Sequence, residues 1–282
     1  MPVNDELGKR MKEYYEQIPK TKLMRRTPVA IRLDGRAFHT FTKGFQKPFD
    51  EVLVKSMQET TKYLCENIQG CVLGYTQSDE ITLILVDYKN LNTAAWFDYE
   101  VQKMCSIAAS MATMKFNRVF EEKVNEYSIT GKGTQVNWYR TAIHRGAMFD
   151  ARVFNVPKEE VTNLIYWRQL DATRNSIQMV GQAIFSHNEL QYKSCNDIQN
   201  MLLTQKDINW NDFPTRWKRG VACRRFPGPI TNISYEINPE WGEPYTKQIA
   251  CRRHEWKIDW DMPILKGENR SYIEELVFVG EE

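Results

Sequence analysis

Two short acidic segments of the sequence carry the residue types that bind a hard divalent cation. Asp34 and Gly35 follow residues 29–33, in which aliphatic and other residues alternate, so a carboxylate and a backbone carbonyl come at the end of a predicted strand. Asp79 and Glu80 form the second segment. Carboxylate and carbonyl oxygens are the ligands that Mg²⁺ prefers in proteins. Taken alone, each segment also fits an ordinary turn, because Asp and Gly are common turn residues.

The second acidic segment belongs to a predicted β-hairpin. Residues 70–86 have two apolar arms, and Asp79 and Glu80 open the returning arm. Alternation in that arm places Asp79 on the face of Ile81 and Glu80 on the opposite face. A carboxylate on each of two adjacent strands fits a nucleotidyl-transfer site in which two Mg²⁺ ions bind both acids and a triphosphate. The spacing does not by itself bring Asp34 and Asp79 together.

The elements predicted around these segments mix helices and strands. Helical spacing of apolar residues predicts the helices, and an apolar run that ends before Pro157 predicts a second strand. The predicted helices cover residues 5–18, 50–66, 96–120, 157–168, 171–185 and 194–203, the first two behind Asp caps, and the second strand covers residues 146–156. Residues 125–140 are predicted to form a loop around a Gly-Lys-Gly sequence.

The composition is that of an ordinary protein large enough to bury a full core. The chain has 282 residues, 42% of them hydrophobic and 26% charged, which suggests one large domain or two small ones. It has no run of 18 apolar residues and no basic-then-apolar leader, so we expect no membrane span and a cytoplasmic location. The six cysteines form no C-x-x-C pair and are predicted to be reduced packing residues. A net charge of +2 does not by itself indicate a nucleic-acid partner.

The region after Pro214 interleaves basic and aromatic residues. Residues 221–225 and 249–253 nearly repeat one another and are predicted to be two strands of one small sheet that places four arginines at one end. Such a surface suits an RNA backbone and exposed bases, and it fits a solvated basic edge equally well. Cys251 and His254 have the spacing of half a zinc site, but no second pair follows, so zinc is not expected. The aromatic residues of the region include Trp241, Tyr245, Trp256 and Trp260.

Five short strings occur in an order that resembles the tRNA(His) guanylyltransferase superfamily, the reverse (3′-to-5′) polymerases that include the Thg1-like proteins. They are Arg32-Leu33-Asp34-Gly35-Arg36-x-Phe38-His39, Lys47-Pro48, Gln77-Ser78-Asp79-Glu80, Phe149-Asp150-Ala151-Arg152-Val153 and Trp167-Arg168-Gln169-x-Asp171. The resemblance covers roughly residues 5–220. Each string is short, and it is their combination and order that is specific.

The resemblance implies an α+β fold and a division of the chain. The fold is expected to contain a polymerase-palm-like βαββαβ sheet with helices on one face, plus a helical and small β C-terminal region. Residues 1–156 are expected to form the catalytic core. Residues 157–282 are expected to form a helical extension and the basic and aromatic C-terminal region, packed with the core as one unit.

The resemblance also implies which residues form the site. Asp34, the Gly35 carbonyl and Asp79 are expected to bind two Mg²⁺ ions. Asp34 and Asp79 are the expected catalytic acids, and Glu80 matches the motif as a further participant although alternation turns it away from Asp79. The residues expected to hold the nucleotide and its phosphates are Arg32, Asp34, Gly35, Arg36, Ala37, Phe38, His39, Lys47, Ser78, Asp79, Lys103, Asn175, and Lys218 or Arg219.

The activity implied by the resemblance is addition of nucleotides to the 5′ end of a tRNA, with activation by ATP. The implied partners are tRNA, ATP, GTP and other NTPs, and further copies of the chain in a dimer or tetramer. One departure from the family pattern is informative, because residues 173–176 read Thr-Arg-Asn-Ser where eukaryotic members have a His-x-x-Asn-Asn motif. This departure favours templated repair of 5′-truncated tRNAs over untemplated addition of G to tRNA(His).

Two other functions fit the same residues. A palm-type nucleotidyltransferase or cyclase acting on small nucleotides would use the same acids without an RNA. A catalytically inactive RNA-binding protein would keep the basic regions and bind neither Mg²⁺ nor NTP.

Overall fold

Within residues 5–237 and 245–280, which the computed structural model describes, six strands form one antiparallel sheet. The strands are β1 (Val29–Gly35), β2 (Cys71–Gln77), β3 (Glu80–Leu85), β4 (Phe149–Asn155), β5 (Val221–Ile237) and β6 (Tyr245–Asp259). Their order across the sheet is β4-β1-β3-β2-β5-β6, and each neighbouring pair runs antiparallel.

Helices connect and cover these strands. They are α1 (Glu6–Met11), α2 (Phe38–Phe41), α3 (Glu51–Asn67), α4 (Val101–Ser128), α5 (Gly133–Arg145), α6 (Lys158–Ile184), α7 (His187–Leu190), α8 (Cys195–Lys206), α9 (Thr215–Arg219) and α10 (Ser271–Val277). A π-helical turn covers Lys12–Glu16, and 3₁₀ turns cover Trp96–Tyr99, Trp210–Asp212 and Gly267–Arg270. No helix in the described part of the chain is long and apolar enough to cross a lipid bilayer.

Both faces of the sheet are buried, because successive residues of a strand point to opposite sides. Ile31 and Leu33 of β1 belong to a core shared with α3 and α4, whereas Ala30 belongs to a core shared with α6 and α10. The predicted α+β class is confirmed. The chain follows the predicted βαββαβ order through β1, α3, β2, β3, α4 and β4, with α3 and α4 on one face. The helical extension after β4 covers the other face.

Local signals predicted α3 and the β2–β3 hairpin correctly. The Asp50 side chain caps α3 by accepting a hydrogen bond from the Leu53 backbone N–H at 2.9 Å. The hairpin turn consists of Ser78 and Asp79, with Gln77 paired to Glu80 across it. Both features depend on residues close in the sequence, which is why the pattern was sufficient. The prediction that Asp79 opens the returning arm is wrong, because β3 begins at Glu80.

Two helical predictions were wrong in part. Residues 125–140 are not a loop, since α4 continues to Ser128 and α5 begins at Gly133. Three residues of α5, at positions 136, 139 and 142, repeat at helical spacing and are buried, and the neighbouring glycines obscure this stripe in the sequence. The first helix was predicted over residues 5–18, and α1 with the π-helical turn that continues it covers residues 6–16, without a side-chain capping bond from Asp5.

The predicted small C-terminal sheet is part of the main sheet. β5 pairs with β2 from Val221 to Arg224, so the long β5–β6 hairpin extends the edge of the palm-like unit. Arg224 lies opposite Lys257, and Arg252 lies opposite Ile230. The two arginine pairs therefore stand about 13 Å apart along the hairpin at ~3.3 Å per residue. The prediction that they share one end is wrong.

Other predictions concern single residues and the division of the chain. Trp241 and the Tyr245 side chain lie outside the described part of the chain. All six cysteines are free thiols, three of them buried, and burial raises the pKa of the Cys65 thiol. The boundary between residues 1–156 and 157–282 stays a prediction.

Replacing Phe116 by Ala is expected to destabilise the fold by about 3–5 kcal/mol, because it removes a fully buried ring from the centre of an aromatic cluster. Phe116 contacts the rings of Phe38, Phe41, Phe120 and Phe149, with centroids 5.4–5.7 Å apart. Urea denaturation measures the change. Ile107→Ala on the exposed side of α4 is the control, with an expected change within about 0.5 kcal/mol. Equal losses in the two variants would contradict the central place of Phe116 in the core.

Candidate active site

The two predicted acidic segments meet at one end of the sheet. The Gly35 backbone N–H donates a hydrogen bond to the Asp79 carbonyl at 3.1 Å. Asp34 lies directly opposite Glu80 in the β1–β3 register. The end of β1 and the β2–β3 turn are therefore joined residue against residue, although 44 positions separate the two aspartates in the sequence.

The Asp79 carboxyl lies in an environment that disfavours its negative charge. Burial raises its pKa most, and the negative charges of Asp34 and Glu80 raise it further. The Ser78 hydroxyl donates a hydrogen bond to Asp79 Oδ1 at 2.9 Å, which opposes this shift without cancelling it. A bound cation would remove the penalty, because it places positive charge between the acids.

A cavity of about 490 Å³ opens beside these acids. Seven of the predicted nucleotide-binding residues line it: Gly35, Ala37, Phe38, His39, Lys47, Ser78 and Asp79. Ala37 and Ser78 both have left-handed backbone conformations, with φ of +53° and +50°. Such conformations are uncommon outside glycine and concentrate at functional sites.

Asp50 fixes the loop that forms the opposite wall of the cavity. Its buried carboxylate accepts hydrogen bonds from the Gln46 backbone N–H at 2.9 Å and from the Tyr139 hydroxyl at 2.7 Å, besides capping α3 at Leu53. Lys47 is held in the cavity by this arrangement. The sequence predicted Asp50 only as a helix cap. Its hydrogen bond to Tyr139 had no signal in the nearby sequence, because Tyr139 belongs to α5, far along the chain.

Glu80 does not face the cavity as a free acid. It is buried, and its two carboxylate oxygens form ion pairs with Arg32 at 2.9 Å and with Arg168 of α6 at 2.7 Å. Arg168 also pairs with Asp171 at 2.7 Å, and the Trp167 ring lies against both guanidinium groups. Arg32, Glu80 and Arg168 therefore form a network of ion pairs that joins α6 to the sheet next to Asp34 and Asp79.

The remaining predicted residues lie at different distances from the cavity. Arg36 is exposed directly after Gly35. Asn175 lines a second pocket that shares Ser78 and Asp50 with the cavity. Asn175 therefore does not line the cavity itself but lies in a pocket that adjoins it.

Three basic residues that were predicted to bind the nucleotide do not line the cavity. The Lys218 side chain is buried over Trp210 and donates to the Asn211 carbonyl, and burial lowers its pKa. The Arg219 carbonyl accepts a hydrogen bond from the Tyr75 hydroxyl at 2.6 Å, and its side chain is half-buried.

Lys103 lies at the other end of the sheet, over the Phe97 ring. Helix α4 reaches the cavity end of β4 at Thr113, whose hydroxyl accepts a hydrogen bond from the Phe149 backbone N–H at 3.1 Å. Ten residues of helix separate Lys103 from that point, which is about 15 Å at ~1.5 Å per residue. The structure does not bring Lys103 together with Asp34 and Asp79.

The donor set suits a hard cation held by few protein ligands. Within residues 5–237 and 245–280, no three His, Cys, Asp or Glu side chains gather as a metal-binding cluster. Asp34 and Asp79 supply two carboxylates, and Gly35 supplies a backbone carbonyl next to them. Mg²⁺ is commonly bound in this way, by one or two carboxylates with the remaining positions filled by water and phosphate oxygens.

Comparison with known proteins gives the family. Residues 8–157 match the family model described as Thg1, tRNAHis guanylyltransferase. The chain belongs to the Thg1 family. The matched range contains both acidic segments and the whole βαββαβ unit, and the predicted enzyme class, nucleotidyltransferase, is confirmed at the level of the family.

Related proteins match most or nearly all of the chain. A bacterial tRNA(His) guanylyltransferase (Thg1)-like protein solved in complex with ATP is 39% identical, with a TM-score of 0.75 over 96% of this chain and 98% of that one. A bacterial Thg1-like protein in complex with GTP is 37% identical, with a TM-score of 0.70 over 97% and 99% of the two chains. The uncharacterized protein R259 of Acanthamoeba polyphaga mimivirus is 30% identical over 236 residues, which cover 79% of this chain and 78% of that protein.

Replacing Asp79 by Asn is expected to raise the melting temperature of the metal-free protein at neutral pH. Folding raises the Asp79 pKa, so the native state resists ionisation of this group. The resulting penalty is absent below the unfolded-state pKa of ~3.9, grows as the pH rises toward the folded-state pKa, and stays constant above it. Thermal denaturation in EDTA across this range measures the difference between variant and wild type.

The exposed Asp261→Asn variant is the control for this experiment, with no expected change in melting temperature. A lower melting temperature for Asp79→Asn than for wild type at neutral pH would show that the carboxylate stabilises the metal-free fold, and the burial penalty on its charge would then be refuted.

Proposed function

We propose that this protein adds nucleotides to the 5′ end of tRNA in the 3′-to-5′ direction, directed by the opposing template strand. The observation that carries the proposal is that Gly35 and Asp79 line a cavity large enough for a nucleotide, while Asp34 lies next to Gly35 at the same end of the sheet. Membership of the Thg1 family and similarity to Thg1-like proteins solved with ATP and GTP support the reaction class.

Asp34, the Gly35 carbonyl and Asp79 would hold two Mg²⁺ ions. Bound there, Mg²⁺ lowers the pKa of an attacking hydroxyl and offsets negative charge on the reacting phosphates. Neither aspartate forms an ion pair with a basic side chain in the described part of the chain. The nearby Arg32 and Arg168 are paired with Glu80 instead.

The basic residues of the cavity orient the nucleotide. Lys47 and His39 line the cavity, and Arg36 is exposed at its edge, so these side chains are placed to donate hydrogen bonds to phosphate oxygens. The Ser78 hydroxyl lies beside them and is fixed by the turn. The backbone from Ala37 to His39 lies against the cavity as a surface for the sugar and base.

The reaction joins the incoming nucleotide to an activated 5′ end. The 5′ phosphate is activated either as an existing triphosphate or by adenylylation from ATP. The 3′-hydroxyl of the incoming nucleotide attacks the phosphorus, a phosphodiester bond forms, and pyrophosphate or AMP leaves. Positioning of the two reacting groups supplies much of the acceleration in reactions of this class.

Templated repair is favoured over untemplated G addition by the residues at positions 173–176. Thr173 donates its hydroxyl hydrogen bond to the Gln169 carbonyl within α6, and the Ser176 hydroxyl accepts one from the Trp210 indole at 3.1 Å. Asn175 and Ser176 line the pocket beside Ser78, and the Asn175 side-chain amide donates a hydrogen bond to Asp171 within α6 at 3.4 Å. A dimer or tetramer and a cytoplasmic location are further parts of the proposal.

Asp34→Ala and Asp79→Ala are each expected to lower nucleotide addition by about 1,000-fold or more, because each removes a ligand of the charge-neutralising ions. Circular dichroism is expected to show an unchanged fold. In wild type, Mg²⁺ is expected to raise the melting temperature, and in the double variant it is expected to have no effect. Asp261→Ala is the matched control, and a variant with wild-type addition in Mg²⁺ would overturn the assignment.

A 5′-truncated tRNA supplied with Mg²⁺, ATP and one NTP at a time tests the direction and templating. Extension of the 5′ end is expected only with the NTP complementary to the opposing base, and denaturing gels resolve each added nucleotide. An intact tRNA without an unpaired template base is the control and is expected to stay unextended. Products formed from NTPs alone would favour the small-nucleotide enzyme, and tRNA binding without incorporation would favour the inactive RNA-binding protein.

A further inference from the structure

We propose that a basic rim beside the cavity binds the phosphate backbone of the RNA strand near its 5′ end. The inference rests on the proposed function, which supplies the RNA, and identifies the surface that holds it. The rim consists of Arg36, His39, Lys43, Lys47, Lys132 and Arg145, with Trp138 between them.

The rim comes from two segments of the chain that contain no acidic residue. Residues 35–49 lie between Asp34 and Asp50, and residues 127–149 lie between Glu126 and Asp150. In a chain with 36 acidic and 38 basic residues, long acid-free segments concentrate positive charge locally even though the net charge is only +2.

Tertiary contacts place these two segments side by side. The Gln135 side-chain amide donates to the Gly44 carbonyl at 3.1 Å, and the Arg145 guanidinium donates to the Thr40 carbonyl. The Trp138 ring packs so closely on Gly44 that a Cβ added there would lie 2.3 Å from it. Helix α5 therefore stands against the loop that forms the wall of the cavity.

The basic side chains of the rim have no acidic partner in the part of the chain that the structure describes. All six basic side chains are exposed, and none of them forms an ion pair in residues 5–237 and 245–280. Two of the acids that flank the segments are occupied, since Asp50 accepts three hydrogen bonds and Glu126 pairs with Lys123.

Clustered like charges repel each other and lower the stability of the free protein. A polyanion that binds across several of them relieves the repulsion and releases its own counterions. The rim therefore fits a ligand with regularly spaced phosphates better than it fits a structural role.

Trp138 favours RNA over other polyanions. The residue is 45% exposed, and its ring is held in place by Gly44 on one side. A fixed, half-open aromatic ring among cations is the arrangement on which unpaired bases or sugars stack while the cations hold the backbone. A tRNA whose 5′ end is extended in the cavity would offer both unpaired bases and a phosphate backbone to this surface.

The test neutralises two rim cations that do not line the cavity, with the double variant Lys43→Gln and Lys132→Gln. Binding of tRNA is measured by filter retention at several KCl concentrations, without turnover. The dissociation constant is expected to rise about tenfold, and the slope of its logarithm against log[KCl] is expected to fall by about two. The KM for ATP is expected to stay unchanged, because both lysines lie outside the cavity.

The matched control is the double variant Lys89→Gln and Lys266→Gln, which removes the same charge. Both lysines are exposed, and Lys89 follows the end of β3 that is remote from Asp79. Wild-type tRNA binding and salt dependence are expected. An equal loss in rim and control variants, an unchanged rim variant, or no tRNA binding by wild type would overturn the proposal.

The rim variant could instead have a wild-type dissociation constant for tRNA and a changed sedimentation coefficient. That result would mean that the rim forms a contact between protein chains, and it would also overturn the proposal. The outcome is separable from that of the proposed function. Failure of wild type to extend any 5′ end would remove the proposed activity, whereas the binding measurement would still decide whether the rim holds RNA.

Discussion

The site depends on bringing three acidic residues to one end of the sheet. Asp34 and Glu80 face each other across two strands, and Asp79 follows in the adjoining turn. Like charges at this spacing oppose folding unless something neutralises them. The protein neutralises only Glu80, through Arg32 and Arg168 on the α6 side. Asp34 and Asp79 have no such ion pair in the described residues, so their neutralisation is left to what binds at the cavity.

A second buried carboxylate organises the cavity wall by hydrogen bonding instead of ion pairing. Asp50 accepts bonds from the loop, from the first turn of α3 and from Tyr139 of α5. A buried carboxylate with three donors is stable without a cation, because the donors replace the water it lost. The loop that contains Lys47 and helix α5 are therefore both hydrogen-bonded to Asp50. This side chain links the cavity wall to the surface proposed to bind RNA.

The basic residues of this protein fall into two groups with different roles. Arg32 and Arg168 pair with the buried Glu80, and Arg25 reaches in from the surface to the buried Asp87, so these arginines stabilise the packing of elements. The rim cations are exposed and lack such partners in the described part of the chain. Paired cations hold elements together, whereas unpaired ones on the surface are available to an anionic ligand. The distinction follows from contacts and could not be drawn from residue type.

The resemblance of the sequence to a known family implied the βαββαβ sheet. Local patterns of the sequence by themselves determined the β2–β3 hairpin, the Asp50 cap and the positions of the two acidic segments. These features depend on alternation, helical spacing and turn residues over a few positions, and such signals are local. Only the tertiary structure decided that Glu80 pairs with Arg168, that Lys218 turns into the protein, and that Lys103 lies far from the acids. It also placed α5 against the loop of the cavity. Ion pairing and burial join residues far apart in the chain, and the partner of a charged side chain is set by packing.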